Sequence, residues 1–417
     1  MCCGAAGQGA GHRGAVGRGP RPRGHARAVG DGPAAGSGRG RKKGGAGRAC
    51  EQCQTQRAHC GCKACDVVTA AGTVTLRRVY YRCSRCAHGG YALDERLGIQ
   101  GKYSPDARRL ICLAGGSWSY EVAAERLGEM CGVTVSDTTV REVCQAEGAK
   151  MAAWQRTAPE VRSEFETAAG DVEFTTDGTM VNTTEGWQEM KLSLFAKRPR
   201  GESATPAEWD QRNLPKPTAR VGFAAIEASD RFGTRWDQWA ARLGVKDYST
   251  ITVLADGAKW IWEEARQNLA GSAGVLDIFH ALQHVSAAAK ALFGDGTEAA
   301  RDWTDVGRTA LLERGWTGID EHLQHTTVPD TSAARDALEG LRDYLGNHVS
   351  HLSYAQRLAE GRSIGSGQIE GACKNLIGRR LKQTGARWRV RRINRMASLC
   401  CLIYSHAWKP YWNQQAA

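Results

Sequence analysis

The sequence predicts an α/β protein carrying an all-α insertion and preceded by two smaller modules. Three observations predict it. Strand-like stretches follow one another from residue 171 onward: DVEFTTDGTMV alternates and is β-rich, WQEMKLSLFAK and RVGFAAIEAS continue a meander, and TITVLADGAKW reads as a buried strand. About eighty residues, 285 to 365, then show helical periodicity with no strand signal. Upstream, Cys50-x2-Cys53 and Cys83-x2-Cys86 bracket a hairpin-like alternation, GTVTLRRVYYRC, and a helical stretch follows.

Of the chain's net charge of +12, residues 1–49 carry +9, from ten Lys and Arg against one Asp, which leaves +3 for the other 368 residues. The first segment also holds sixteen glycines, no aromatic residue, and only Val16 and Val29 as large aliphatics. Such a composition buries too little apolar surface to offset its ordering entropy, so a disordered basic tail is expected there: an arm that lies along phosphates, or an upstream extension. No run approaches the roughly 18 apolar residues of a membrane helix, and MCCGAAGQGAGHRG lacks the apolar stretch of a signal peptide, so a cytoplasmic protein with no membrane partner is expected. Fifteen cysteines in such a chain read as metal ligands where clustered. Scattered ones such as Cys112, Cys144 and Cys400 read as small buried apolar residues.

Residues 50–100 form the first module. Two knuckles donating two thiolates each match a tetrahedral zinc ribbon, with Cys50, Cys53, Cys83 and Cys86 as ligands. Cys60, Cys62 and Cys65 lie between the pairs and compete for the assignment. Residues 101–160 form a helical module: Ser104 before Pro105, Ser119 and Ser136 each precede an apolar-periodic run. Three short helices fit a DNA-binding helix-turn-helix, and a plain bundle fits equally. Residues 170–284 and 362–412 make the α/β core, with residues 285–361 as the all-α insertion.

Two aspartates in the core share a local design. Asp177 in TTDGTM and Asp256 in LADGAK each close an apolar strand and precede glycine. A strand end holds a carboxylate on a rigid frame, while glycine lets the backbone turn away from a ligand. A third carboxylate, Glu370, stands in GSGQIEGACKNLIGRRLKQTGARW at the head of a segment with ten Lys and Arg and no further acid. Carboxylates are the hard-oxygen donors that Mg²⁺ or Mn²⁺ prefers, whereas the basic run suits phosphates. In that run Lys374, Arg379, Arg380, Lys382, Arg387 and Arg389 are the expected phosphate contacts, with Trp388 placed to stack on an unpaired base.

The stretches YYRCSRC, LDERLGI, TTDGTMV, ADGAKWIW, LDIFHALQH and GSGQIEGACKNLIGRRLKQTGARW resemble those of insertion-sequence transposases of the Kra group, a DDE family related in plan to Mutator-like transposases. The resemblance spans residues 50–412. It implies a ribonuclease H-like fold for the core, with Asp177, Asp256 and Glu370 as catalytic triad and ligands of two Mg²⁺ or Mn²⁺ ions. It also implies transposon-end and target DNA as partners, a homodimer in the synaptic complex and association with the nucleoid. Asp277-x2-His280 resembles the Asp-x2-His motif of these transposases, which implies an accessory role beside the metal site. The expected function is DNA cleavage and strand transfer at terminal inverted repeats. A catalytically retired DNA-binding protein and a nuclease without strand transfer are the alternatives.

Overall fold

The computed structural model describes residues 49–245 and 247–416, so the expected tail over 1–49 lies, all but Ala49, outside the described residues. The first module is a long hairpin, β1 (Arg57–Thr69) and β2 (Gly72–Cys83), with β3 (Gly89–Tyr91) antiparallel to β2 and a short helix α1 (Ala92–Arg96). Arg57 is buried against Glu95 at 2.9 Å, and Arg78 pairs with Asp94, so α1 locks the hairpin base.

The three serines in the next segment start helices. Ser104 caps α2 (Pro105–Ser117), Ser119 caps α3 (Tyr120–Cys131) and Ser136 caps α4 (Asp137–Thr157), each hydroxyl accepting from the amide three residues on. A shorter helix, α5 (Pro159–Thr167), leads into the sheet. These helices share one hydrophobic core with the sheet: Ile111, Leu127, Val140 and Met151 belong to the same buried cluster as Phe174, Leu192 and Trp236.

The sheet contains β4 (Asp171–Thr183), β5 (Gly186–Arg198), β6 (Ala219–Ala225), β7 (Ile251–Ala255) and β8 (Ala273–Leu276), in the order β6-β5-β4-β7-β8. β4, β5 and β6 form an antiparallel meander, and β4, β7 and β8 run parallel. The parallel links need crossovers, supplied by α6 (Ser229–Arg242) and α7 (Lys259–Asn268).

After β8 the chain enters α8 (Ile278–Phe293), α9 (Glu298–Gln324), α10 (Ser332–Gly346) and α11 (Tyr354–Ala359). Leu254, Leu276, Val285, Leu311, Leu345 and Tyr354 form a second buried cluster, so the insertion builds its own core on the β7–β8 edge. α9 breaks at Gly315, whose φ of 56° and approach to the Leu352 carbonyl leave no room for a Cβ.

The chain returns through α12 (Gly367–Ala372), a π-helical turn over Cys373–Gly378 and α13 (Arg379–Leu381), then closes with α14 (Val390–Tyr404) and α15 (Trp408–Ala416). α14 packs on α4 and β6, and Tyr411 of α15 donates to Glu147, which is itself paired with buried Arg108 at 2.6 Å. No helix among the described residues is long and apolar enough to cross a membrane.

Candidate active site

Strand register brings the aspartates together. β4 pairs with β7 from Val172–Ile251 to Thr175–Leu254, and β7 with β8 from Thr252–Ala273 to Ala255–Leu276. Continued past the last paired residues, the same registers bring Asp177, Asp256 and Asp277 level with one another. Asp256 and Asp277 directly follow the carboxyl ends of β7 and β8, whereas Asp177 lies mid-strand: β4 runs on beside β5 to Thr183, which corrects the expectation that Asp177 closes its strand. The three meet where the parallel pairing ends, and such edges of open α/β sheets form crevices.

Asp177 and Asp256 are half-buried and have few protein donors. Asp177 accepts from the Gly178 amide at 2.6 Å, and Asp256 from the Ala258 amide at 2.9 Å. Burial, and then the charge of Asp256, push the Asp177 carboxyl above its ordinary value. Two carboxylates that repel each other across a crevice, with lone pairs to spare, suit a divalent cation. Trp262 Nε1 fixes the Asp256 turn by donating to its carbonyl at 2.8 Å. A Cβ at Gly257 would lie 2.2 Å from the Tyr344 ring, so only glycine lets α10 rest on this turn.

Asp277 is built differently. Its Oδ1 accepts from the His280 amide at 2.9 Å and contacts His280 Nδ1 at 3.2 Å; its Oδ2 accepts from the Ser366 amide and from Ser366 Oγ at 2.8 Å. Burial alone would raise its pKa, but the donors from His280 and Ser366 bring it below the ordinary value. The same contact raises His280 above its ordinary value. With both oxygens occupied, Asp277 is a clamp rather than a metal ligand: it ties β8 to the segment that carries Glu370. Ile278 reinforces the tie by donating its amide to the Ile364 carbonyl at 3.1 Å.

A second clamp works from β4. Glu173, four residues before Asp177 and buried, accepts from Ser363, from Gln368 Nε2 at 2.6 Å and from Arg198 at 2.9 Å. Together Glu173 and Asp277 hold residues 363–368 against the sheet, and α12 follows. Glu370 is exposed on α12 and bonded to Lys374 at 2.6 Å. It does not close on the aspartates here: among the described residues only four cysteines gather three or more His, Cys, Asp or Glu ligand atoms within 4.8 Å of one another. Cys373, one turn after Glu370, lies near Asp177, and burial pushes its thiol well up.

The basic segment divides. Lys374, Arg379, Lys382, Arg387 and Arg389 are exposed, and Lys382 reaches Thr179 of β4 at 3.0 Å. Arg380 and Trp388 are 3% and 9% exposed, which corrects the expectation of an open phosphate contact and a base-stacking surface. Arg380 donates to the Gly115 carbonyl at 2.6 Å and lies over both the Tyr120 and Trp388 rings. Trp388 donates its Nε1 to Leu381. On the helical module the outward residues of α3 and the start of α4 include Glu121, Glu125, Glu129, Asp137 and Glu142 beside Arg126.

In the first module Cys50, Cys53, Cys83 and Cys86 form that one cluster. Sγ separations of 3.4 Å for Cys50–Cys86 and Cys53–Cys83, and 3.6 Å for Cys53–Cys86, approach the ~3.8 Å edge of a tetrahedron with ~2.3 Å Zn–S bonds. Hydrogen bonding from Thr55 holds the Cys53 thiol down at about 6, toward the thiolate a metal needs. The group could therefore hold a structural metal such as zinc. Cys60, Cys62 and Cys65 lie outside the cluster.

Sequence reasoning missed Glu173, Ser363, Ser366, Gln368 and Cys373, the residues that set α12 against the sheet. It also missed Tyr344, His348 and His351, which with Trp262 and Lys259 line a cavity of about 760 Å³ beside the Asp256 turn. Only the short polar spacing in RSIGSGQ hinted at the clamps. The family model of an uncharacterised protein family, UPF0236, matches residues 61–405, and the chain belongs to that family. No curated protein matches the chain.

Proposed function

We propose that this UPF0236 member is a DNA transposase that cleaves and joins strands at the ends of an insertion sequence, with Asp177, Asp256 and Glu370 as its catalytic carboxylates. The observation that carries the reading is the register that sets Asp177 and Asp256 side by side where the parallel pairing of β4 and β7 ends. The sheet order, in which the first three strands form a meander and the fourth and fifth add parallel to the first, supports a ribonuclease H-like core.

Asp177, Asp256 and Glu370 would hold Mg²⁺ or Mn²⁺, which when bound activates an attacking oxygen and stabilises a leaving one. The protein's own contribution is placement. β4 and β7 fix the two aspartates, and the Glu173 and Asp277 clamps fix the origin of α12. Glu370, bonded to Lys374 in this structure, would give up that lysine to join the aspartates. Lys374, Arg379 and Lys382, exposed on the same helical run, supply cations for the DNA backbone. The basic surface of the C-terminal segment makes DNA the expected partner, and pairing of two ends calls for a dimer.

The test uses duplexes taken from the DNA flanking the gene, incubated with the full chain and Mg²⁺ and resolved on a sequencing gel. Cleaved and joined products support the reading; cut products alone make the protein a nuclease, and shifted but intact DNA a retired binder. Glu370→Gln should lower cleavage by several orders of magnitude with DNA binding retained, and Glu360→Gln, outside the site, should leave it unchanged. Wild-type cleavage by Glu370→Gln would remove Glu370 from the triad.

A further inference from the structure

Where α14 begins, a cavity of about 490 Å³ is walled by Arg141, Arg380, Arg387, Arg389 and Arg392, with no acidic residue in its lining. None of these arginines is in an ion pair among the described residues, whereas Arg126, Arg200, Arg314, Arg335 and Arg342 elsewhere are. Five cations around one cavity repel one another unless an anion joins them.

Arg380 lies deepest, 3% exposed: its Nε donates to the Gly115 carbonyl, its guanidinium lies over the Tyr120 and Trp388 rings, and its Nη2 has no hydrogen-bond partner. It adds charge to the cavity wall rather than an open contact, while Arg387, Arg389 and Arg392 are exposed. α14 also starts with no side-chain cap.

From this arrangement we infer a preformed oxyanion site that seats a backbone phosphate of DNA, at a distance from the carboxylates. Its walls come from two parts of the chain, Arg141 on α4 and the rest on the C-terminal segment, which is why neither part reveals it alone. The volume lies within the ~300–1,000 Å³ of ligand sites and exceeds what a lone phosphate fills, leaving room for the sugars on either side. The cavity touches Thr184, at the tip of the β4–β5 hairpin and seven residues beyond Asp177. At ~3.3 Å per strand residue this is ~23 Å from the first aspartate, or about seven nucleotides of duplex at ~3.4 Å each. The site thus reads as an anchor that sets the register of a DNA strand relative to the carboxylates, and it rests on the proposal that DNA is the partner.

The experiment measures binding of a mixed-sequence 30-base-pair duplex to the full chain in EDTA, so that cleavage plays no part and failure of the catalytic reading is scored separately. Salt dependence is compared for wild type, Arg141→Gln/Arg392→Gln and the control Arg314→Gln/Arg335→Gln on the insertion. The site variant should bind about tenfold or more weakly, with a log–log salt slope smaller by about two, and equally for unrelated sequences. The control should match wild type. A thermal-shift titration with inorganic phosphate distinguishes a free-anion site from a DNA site. Stabilisation by phosphate that the variant loses, together with unchanged duplex binding, would overturn the DNA assignment. An unchanged salt slope, or a loss confined to one sequence, would overturn it as well.

Discussion

Replacing Asp277 by Asn separates the clamp from the chemistry. The carboxylate accepts on both sides, from the His280 amide at 2.9 Å and from Ser366 Oγ at 2.8 Å and the Ser366 amide. Asn has one acceptor oxygen. Whichever way it turns, its NH₂ faces a backbone N–H, so one hydrogen bond disappears and one buried donor goes unpaired. A lost charge-assisted bond and an orphaned donor together cost about 3 kcal/mol. The loss is local, because the clamp joins only β8 to the segment before α12. Amide hydrogen exchange is therefore the assay: at ~1.4 kcal/mol per decade, the amides of Ser366, Ile369 and Glu370 should exchange about 100-fold faster, while those of β4 and β5 keep their protection. Cleavage should fall too, although Asp277 touches no reacting atom, because Glu370 loses its fixed origin. Exchange at residues 364–370 within about threefold of wild type would refute the clamp.

Three other outcomes follow from the same geometry. Purified protein should hold about one zinc per chain, and serine at both Cys83 and Cys86 should abolish it, measured by metal analysis; unchanged zinc content would move the site to other cysteines. Glu147→Gln should destabilise the fold by about 3–5 kcal/mol at neutral pH, since it leaves Arg108 buried without its counter-charge. Burial alone would raise the Glu147 pKa, but Tyr411 and Arg108 bring it below the ordinary value of 4.5. Its contribution is therefore present above pH 4.5 and lost as pH falls through the lowered value, so the melting difference between wild type and variant should shrink only in acid. Gly257→Ala should cost about 1–3 kcal/mol through its collision with Tyr344, and nearly nothing in a Tyr344→Ala background, as read from a double-mutant thermal-denaturation cycle.

The strands, the helix starts and the four-cysteine cluster were legible in the sequence because each rests on short-range rules. Short β-rich, apolar stretches gave β4 to β7, a serine before an apolar run gave the caps of α2, α3 and α4, and two Cys-x2-Cys pairs around a hairpin bring four thiols together with no help from the rest of the chain. Asp256 was visible for the same reason, as a carboxylate closing an apolar strand; Asp177 was visible as an Asp-Gly after an apolar run, but its strand continues to Thr183. Their alignment was not, since it depends on the register between β4 and β7, set by packing between residues about eighty apart. Tertiary structure also assigned different roles to residues of one type. Asp277 resembles the other two aspartates in sequence but spends both oxygens on His280 and Ser366, while Arg380 and Trp388 turn inward from a run whose other cations face water. A basic run states only that cations are present. Which of them solvent can reach is decided by the helices α2 and α3 that close over it, and a sequence read locally does not contain that contact.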